Sequence, residues 1–271
     1  MKRKIMFFLT LLVFLLAACG TGNDSQNSGE SGSEGELETL RVVTDAAYAP
    51  FEYMDKGEVT GFDVDFLEAV AKEAGYNAEI ENVGWEAVFA EIGNKTADLA
   101  VSAITITDDR KKDNDFSVPY YLSTNKILVP EDSDIKSAAD LEGKTVAVQT
   151  GTTGQEAVEA ILGANNPNIK MFENTMLAIM QLQQNGADAV VADNTVVEEY
   201  AKNNPDANFK VIEDTENFAA EYYGLMFPKG SELVAKFNDA INAVYDNGTY
   251  ADLYEEWFGV EPDIEKLKAE Q

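Results

Sequence analysis

From Leu40 onward the chain alternates strand-type and helix-type apolar patterns, and near Lys144 the alternation starts again. In the first run, Leu40-Arg41-Val42-Val43-Thr44 reads as a strand ending at Asp45. Gly61 and Asp63 open a helix whose Phe66, Leu67, Val70 and Ala74 keep helical spacing, and Gly75 stops it. A strand at Ala78 to Ile80, a helix after Trp85 carrying Val88, Phe89 and Ile92, and a strand from Ala97 to Ile104 follow. In the second run, Lys144 to Gln149 is a strand, and Gly151-Thr152-Thr153-Gly154 turns into a helix over Gln155 to Leu162. Ile169 to Phe172 is a strand, Thr175 to Asn185 a helix, and Ala187 to Ala192 a strand ending at Asp193. Ala97-Asp98-Leu99-Ala100-Val101 is echoed by Ala187-Asp188-Ala189-Val190-Val191, each after a helix. Such alternation predicts an α/β fold of two lobes, each a sheet with helices on both faces. After Phe209 to Glu213 and the apolar stretch Tyr222 to Phe227, helices over Glu232 to Asn247 and Thr249 to Trp257 return the chain to the first lobe.

Ahead of this domain, Lys2, Arg3 and Lys4 precede an apolar run from Ile5 to Leu16, too short for a committed membrane span. Small residues then lead into Cys19, the only cysteine. The segment resembles a bacterial lipoprotein signal. That resemblance implies cleavage of residues 1–18 and diacylglycerol on Cys19, with palmitate among its acyl chains. More than one chain on a residue exceeds the single chain that binds membranes only marginally. Gly20 to Glu38 is rich in Gly, Ser, Asn and Glu, with Leu37 its one apolar residue, and reads as a flexible tether.

Composition then prunes the functions. Against 49 acidic residues stand only 20 basic ones, for a formal charge of −29, and loss of the leader makes the balance more negative. Such a surface repels nucleic acid. The chain has no histidine, so a Ser-His-Asp triad and the usual histidine-bearing zinc sites are excluded. With Cys19 committed to lipid, a cysteine nucleophile is excluded as well. No calcium loop and no phosphate-binding Gly-rich motif occurs. No metal or cofactor is expected.

Five clusters fall at strand ends or helix starts, where open α/β sheets bind ligands. They are Asp45-Ala46-Ala47-Tyr48-Ala49-Pro50-Phe51-Glu52-Tyr53; Gly61-Phe62-Asp63-Val64-Asp65 with Trp85; and Ser102 to Arg110 followed by Phe116-Ser117-Val118-Pro119-Tyr120. The fourth is Gly143 to Thr153, and the fifth is Ala187 to Asp193. In this order, from Leu40 to Gly259, they resemble the extracellular solute-binding proteins of polar amino-acid ABC transporters, which have the type II periplasmic-binding-protein fold.

The resemblance implies a role for each residue. Arg110 matches the arginine that pairs with a ligand α-carboxylate, a fork that lysine cannot reproduce. Thr105 and Thr153, with the helix start at Thr152, complete that carboxylate site. Asp193 matches the acid that meets the α-ammonium, beside Ser102 and the carbonyl of Ala103. Tyr48 and Trp85 match aromatic walls, and Asp45 and Gln149 lie where the distal end of the side chain is read. Asp63 is read as a helix cap.

The implied protein performs no chemistry. It closes around an amino acid, and permease subunits recognise it while it stays tethered outside the membrane. A monomer is expected. Asp45 favours a basic ligand such as arginine, lysine or histidine, with glutamine next and cystine possible. An enzyme of the dehydratase type on the same fold is the alternative, with Glu52, Glu173 or Glu221 as its acid; a partner-linked sensor is a third reading. The expected division is a first lobe of residues 39–123 and 225–260, a second of 124–224, and a tail of 261–271. Crossings between lobes are expected near Ser123 to Ile127 and Tyr222 to Gly224.

Overall fold

The structure, a computed structural model, describes residues 37–271. The leader, Cys19 and nearly all of the tether lie outside the described residues. Among the described residues no helix is long and apolar enough to cross a membrane.

Strand β1 (Thr39–Thr44) starts the first lobe, and a small antiparallel sheet of β2 (Ala47–Tyr48), β3 (Glu52–Asp55) and β4 (Glu58–Thr60) follows. Gly61 then turns the chain at φ 139°, where a Cβ would lie 2.0 Å from the Phe51 carbonyl oxygen, so only glycine fits. Helix α1 (Phe62–Glu73) buries Phe62, Phe66, Leu67 and Val70 at helical spacing. Strand β5 (Asn77–Asn82) pairs parallel to β1, and helix α2 (Trp85–Asn94) leads to β6 (Leu99–Ala100) on the other side of β1.

Here the structure differs from the expected strand over Ala97 to Ile104. Only two residues pair, because the chain leaves the sheet at Val101 and Ala103 takes φ 45°. The apolar run is buried as floor beside the cleft instead of as strand. Asp63 also departs from its expected part as a cap. It makes no cap bond; it is fully buried and accepts the Ala103 amide and the Tyr120 hydroxyl.

Helix α3 (Arg110–Asp113) and strand β7 (Asn114–Phe116) precede the ten-residue β8 (Tyr121–Pro130). The second run supplies β9 (Val146–Gln149), α4 (Thr153–Leu162), β10 (Ile169–Phe172), α5 (Thr175–Gln183), β11 (Ala189–Asp193), α6 (Asn194–Asn203) and β12 (Phe209–Ile212). The apolar stretch from Tyr222 splits at Gly224 into β13 (Ala220–Tyr223) and β14 (Met226–Pro228). Helices α7 (Leu233–Asp246), α8 (Thr249–Phe258) and α9 (Ile264–Lys268) finish the chain. The segment read as a tail thus carries α9, whose Leu267 is buried in the first lobe's core.

Two sheets result, ordered β5-β1-β6-β14-β7 and β10-β9-β11-β8-β12. Each is covered on both faces, so its central strands are apolar at successive positions. Val42 and Leu99 face one core while Val43 and Ala100 face another. Val146 and Val148 likewise oppose Ala147 across the second sheet. The lobes are joined by β8 and β13, which pair antiparallel from Tyr121↔Tyr223 to Thr124↔Ala220. Beyond Thr124, β8 joins the second sheet against β11 and β12.

Candidate functional site

Strands β1 and β6 of one lobe and β9 and β11 of the other turn their C-terminal ends toward a shared cleft, the position at which α/β sheets offer loops and helix starts to a ligand. The cleft holds a cavity between the two lobes. All eleven residues singled out from the sequence line it, together with Glu52, Asn125, Gly154, Thr175, Val191 and Ala192.

At one end stands Arg110. Its Nη1 donates to the Thr105 carbonyl at 2.9 Å and its Nη2 to the Gly151 carbonyl at 3.2 Å. The guanidinium lies over the rings of Trp85 and Phe89, 5.5 and 5.2 Å from their centres, which favours the cation at this position. Burial lowers its pKa, opposed by the charges of Glu156, Asp193 and Glu221. The hydroxyls of Thr105 and Thr153, one from each lobe, both donate to Glu221 Oε2, at 2.9 and 2.7 Å. Thr152 caps α4 by accepting from the Gln155 amide and donates to the Gln149 carbonyl. The first-turn amides of α4 have no intrahelical partner and raise the local positive potential.

Asp193 occupies the middle. It ends β11 and precedes α6, yet its side chain makes no cap bond; its Oδ2 instead accepts from the Tyr223 hydroxyl. Burial and the nearby Glu221 charge push its carboxyl up, opposed by the hydroxyls of Tyr223 and Tyr48 and by Arg110. The Asp193 amide donates to Tyr48 Oη at 3.4 Å across the cleft. Ser102 and Ala103 face it from the first lobe's floor.

At the far end Asp45 Oδ2 accepts from Gln149 Nε2 at 3.2 Å, and Gln149 Oε1 accepts from the Thr175 hydroxyl at 2.9 Å. Burial raises the Asp45 pKa, Gln149 lowers it and the Glu173 charge raises it further. Trp85 closes the rim, donating its indole N–H to the Gly151 carbonyl at 3.3 Å. Of the three acids considered for chemistry, Glu52 lines the wall, Glu221 bonds to wall residues, and Glu173 bonds the site through its backbone carbonyl.

Several partners were not singled out from the sequence. Asn125 donates to Glu221 Oε1 at 2.8 Å, and its own Oδ1 has no donor. Asn125 lies among Ser123, Thr124 and Lys126 in β8, so nothing in the sequence marks it apart from its polar neighbours. Thr175 follows the Asn174 cap of α5, a pattern that marks a helix start without marking a ligand contact. Tyr223 lies thirty residues from Asp193 in sequence, a contact that only β8–β13 pairing brings about.

A planar cation, a buried acid and an acid–amide pair, set along one cavity, can hold a zwitterion by its two ends and read a polar side chain beyond. Residues 40–260 match the model of the bacterial extracellular solute-binding proteins, family 3. A probable histidine-binding protein of Neisseria gonorrhoeae is 38% identical over 96% of this chain and 97% of its own length. The arginine-binding extracellular protein ArtP of Bacillus subtilis is 34% identical over 95% and 98%. The arginine-, lysine-, histidine-binding protein ArtJ of Geobacillus stearothermophilus superposes with a TM-score of 0.84 at 52% identity, covering 85% of this chain and all of that one. The chain belongs to family 3 of the bacterial extracellular solute-binding proteins.

Proposed function

We propose that this protein is a lipid-tethered extracytoplasmic receptor that captures a basic amino acid and delivers it to the permease of an ABC transporter. The observation that carries the reading is the order of charges along the cavity: Arg110, then Asp193, then Asp45 with Gln149. Arg110 takes the α-carboxylate, Asp193 the α-ammonium, and Asp45 a cationic side-chain end. Each ligand charge then meets one buried opposite charge, so the complex closes near neutrality. Tyr48 and Trp85 flank the stem of the side chain. No nucleophile or cofactor is needed, and the protein acts as a monomer. The receptor consists of lobes 39–123 with 225–260 and 124–224, tethered through Cys19.

A thermal-shift panel of the amino acids tests the reading. A ligand at 100 times its Kd stabilises the folded state by about 2.7 kcal/mol. L-arginine, L-lysine or L-histidine should give the largest rise in Tm, glutamine a smaller one and glutamate none. A panel without any shift would remove the function, and a largest shift with glutamate would remove the basic preference. The tether is checked by mass spectrometry of the mature N-terminus and by Cys19→Ser, which should release the protein from the cells.

A further inference from the structure

In the cleft wall and directly behind it two carboxyls, Glu52 and Asp63, are buried together. Glu52 opens β3, Asp63 lies in the first turn of α1, and both are sealed from solvent. One oxygen of each is satisfied. Glu52 Oε1 accepts from the Ser102 hydroxyl at 3.0 Å; Asp63 Oδ2 accepts from the Ala103 amide and the Tyr120 hydroxyl, both at 2.8 Å. The other oxygens, Glu52 Oε2 and Asp63 Oδ1, are buried and have no donor. Their partners Ser102 and Ala103 are successive residues, which sets the two carboxyls side by side, and each alters the other's hold on a proton. The titratable groups that face them are Asp45, Tyr48, Tyr120 and Tyr250, none of them basic. Two ionised carboxylates here would be like charges in a dry site with an unsatisfied acceptor on each. A single proton between them satisfies both acceptors at once.

We propose that Glu52 and Asp63 share one proton, carried on Glu52 Oε2 and donated to Asp63 Oδ1, and that this pair positions Asp45, Ser102 and Ala103 for the ligand. Asp63 is the better anion, since two donors already reach it. Burial brings it to about 6, whereas burial and the Asp63 charge carry Glu52 well above its ordinary value. The positioning runs through three bonds. The Ser102 hydroxyl has one hydrogen; given to Glu52, it leaves a lone pair that accepts the Asp45 amide at 3.0 Å. The Asp63 carboxylate holds the amide of Ala103, a non-glycine residue at φ 45° that needs such a restraint. A neutral Glu52 also leaves the cavity with the charges that suit a basic amino acid, and in this respect the inference rests on the proposed function.

The test compares the intact wild-type protein with Glu52→Gln by infrared spectroscopy in D2O at neutral pH. The difference spectrum should contain the carbonyl band of one protonated carboxyl. A difference made only of ionised-carboxylate bands would overturn the shared proton. Calorimetry with L-arginine reads the positioning. Glu52→Ala should weaken binding at least tenfold, and Glu52→Gln, which still donates toward Asp63, should recover most of that loss. Equal losses in the two variants would overturn the positioning role. If the wild type fails to bind L-arginine, only the ligand reading falls, because the infrared band needs no ligand.

Discussion

Arg110 spends two of its five donors on carbonyls, one from each lobe, and two aromatic rings lie beside its guanidinium. Loss of one partner from a buried, hydrogen-bonded charge pair costs about 2–5 kcal/mol. Arg110→Ala should therefore weaken L-arginine binding by about 30-fold or more by calorimetry, and Arg110→Lys should recover little, since a point charge cannot replace the fork. Asp45→Asn separates the distal end from the rest. It should weaken L-arginine far more than L-glutamine; equal losses would detach Asp45 from side-chain recognition. Asp193 gives the site a pH dependence. Its carboxyl holds a proton more tightly in the folded chain than in the unfolded one. Folding stability from this group is accordingly lost as pH rises from the ordinary carboxylate range through the raised value. The proposed ammonium contact needs the ionised form, so affinity should climb over that same interval, by up to roughly tenfold per pH unit for one proton. Calorimetry in buffers of different ionisation enthalpy should register proton release there, and no release would place the ammonium elsewhere.

Helices and central strands were legible in the sequence because burial on one or both faces writes a period into the apolar residues. Phe66, Leu67 and Val70 mark α1, and the unbroken Val146-Ala147-Val148 marks a strand covered on both sides. The end of β6 was not legible. Val101 and Ile104 are as buried as strand residues, but the backbone between them leaves the sheet to present Ser102 and Ala103. Asp63 was misread for a related reason: an acid in a helix's first turn looks the same whether it caps the helix or bonds a residue forty positions away. Gly61 binds these elements together, carrying the chain from β4 into α1 and so setting Asp63 beneath the site. In Gly61→Ala the new Cβ would meet the Phe51 carbonyl at 2.0 Å, at a φ that side chains rarely adopt. The substitution should lower stability by about 3 kcal/mol or more. Urea unfolding should show a lower midpoint at unchanged slope, and an unchanged midpoint would mean that the β4–α1 junction yields without cost.

At the scale of the whole molecule the sequence announced two lobes by repeating its pattern, but not how they meet. That depends on β8 and β13, which are separated by almost one hundred residues and pair through backbone bonds without side-chain signature. Glu221 sits on β13 between the lobes, bonded to Thr105 on one side and to Thr153 and Asn125 on the other. Other direct links across the cleft are few and long: Trp85 and Arg110 to the Gly151 carbonyl, Gln149 to Asp45, and the Asp193 amide to Tyr48. The two neutral bonds contribute about 0.5–1.5 kcal/mol each at most, and the two that involve the Arg110 cation or the Asp45 carboxylate no more than about 1.5–3 kcal/mol each. They are too weak to hold two lobes together against solvent without a ligand that engages Arg110 and Asp193 together. The protein should therefore open in solution and close on binding, turning about the β8–β13 ribbon. Small-angle scattering should show the radius of gyration falling when saturating L-arginine is added, with no fall for Arg110→Ala at the same concentration. Glu221→Ala, which removes a ribbon side chain bonded to both lobes, should reduce affinity while leaving the compaction at saturation intact. If calorimetry shows L-arginine bound and the radius of gyration does not change, the lobes do not close around the ligand, and the permease would have to recognise something other than a change of shape.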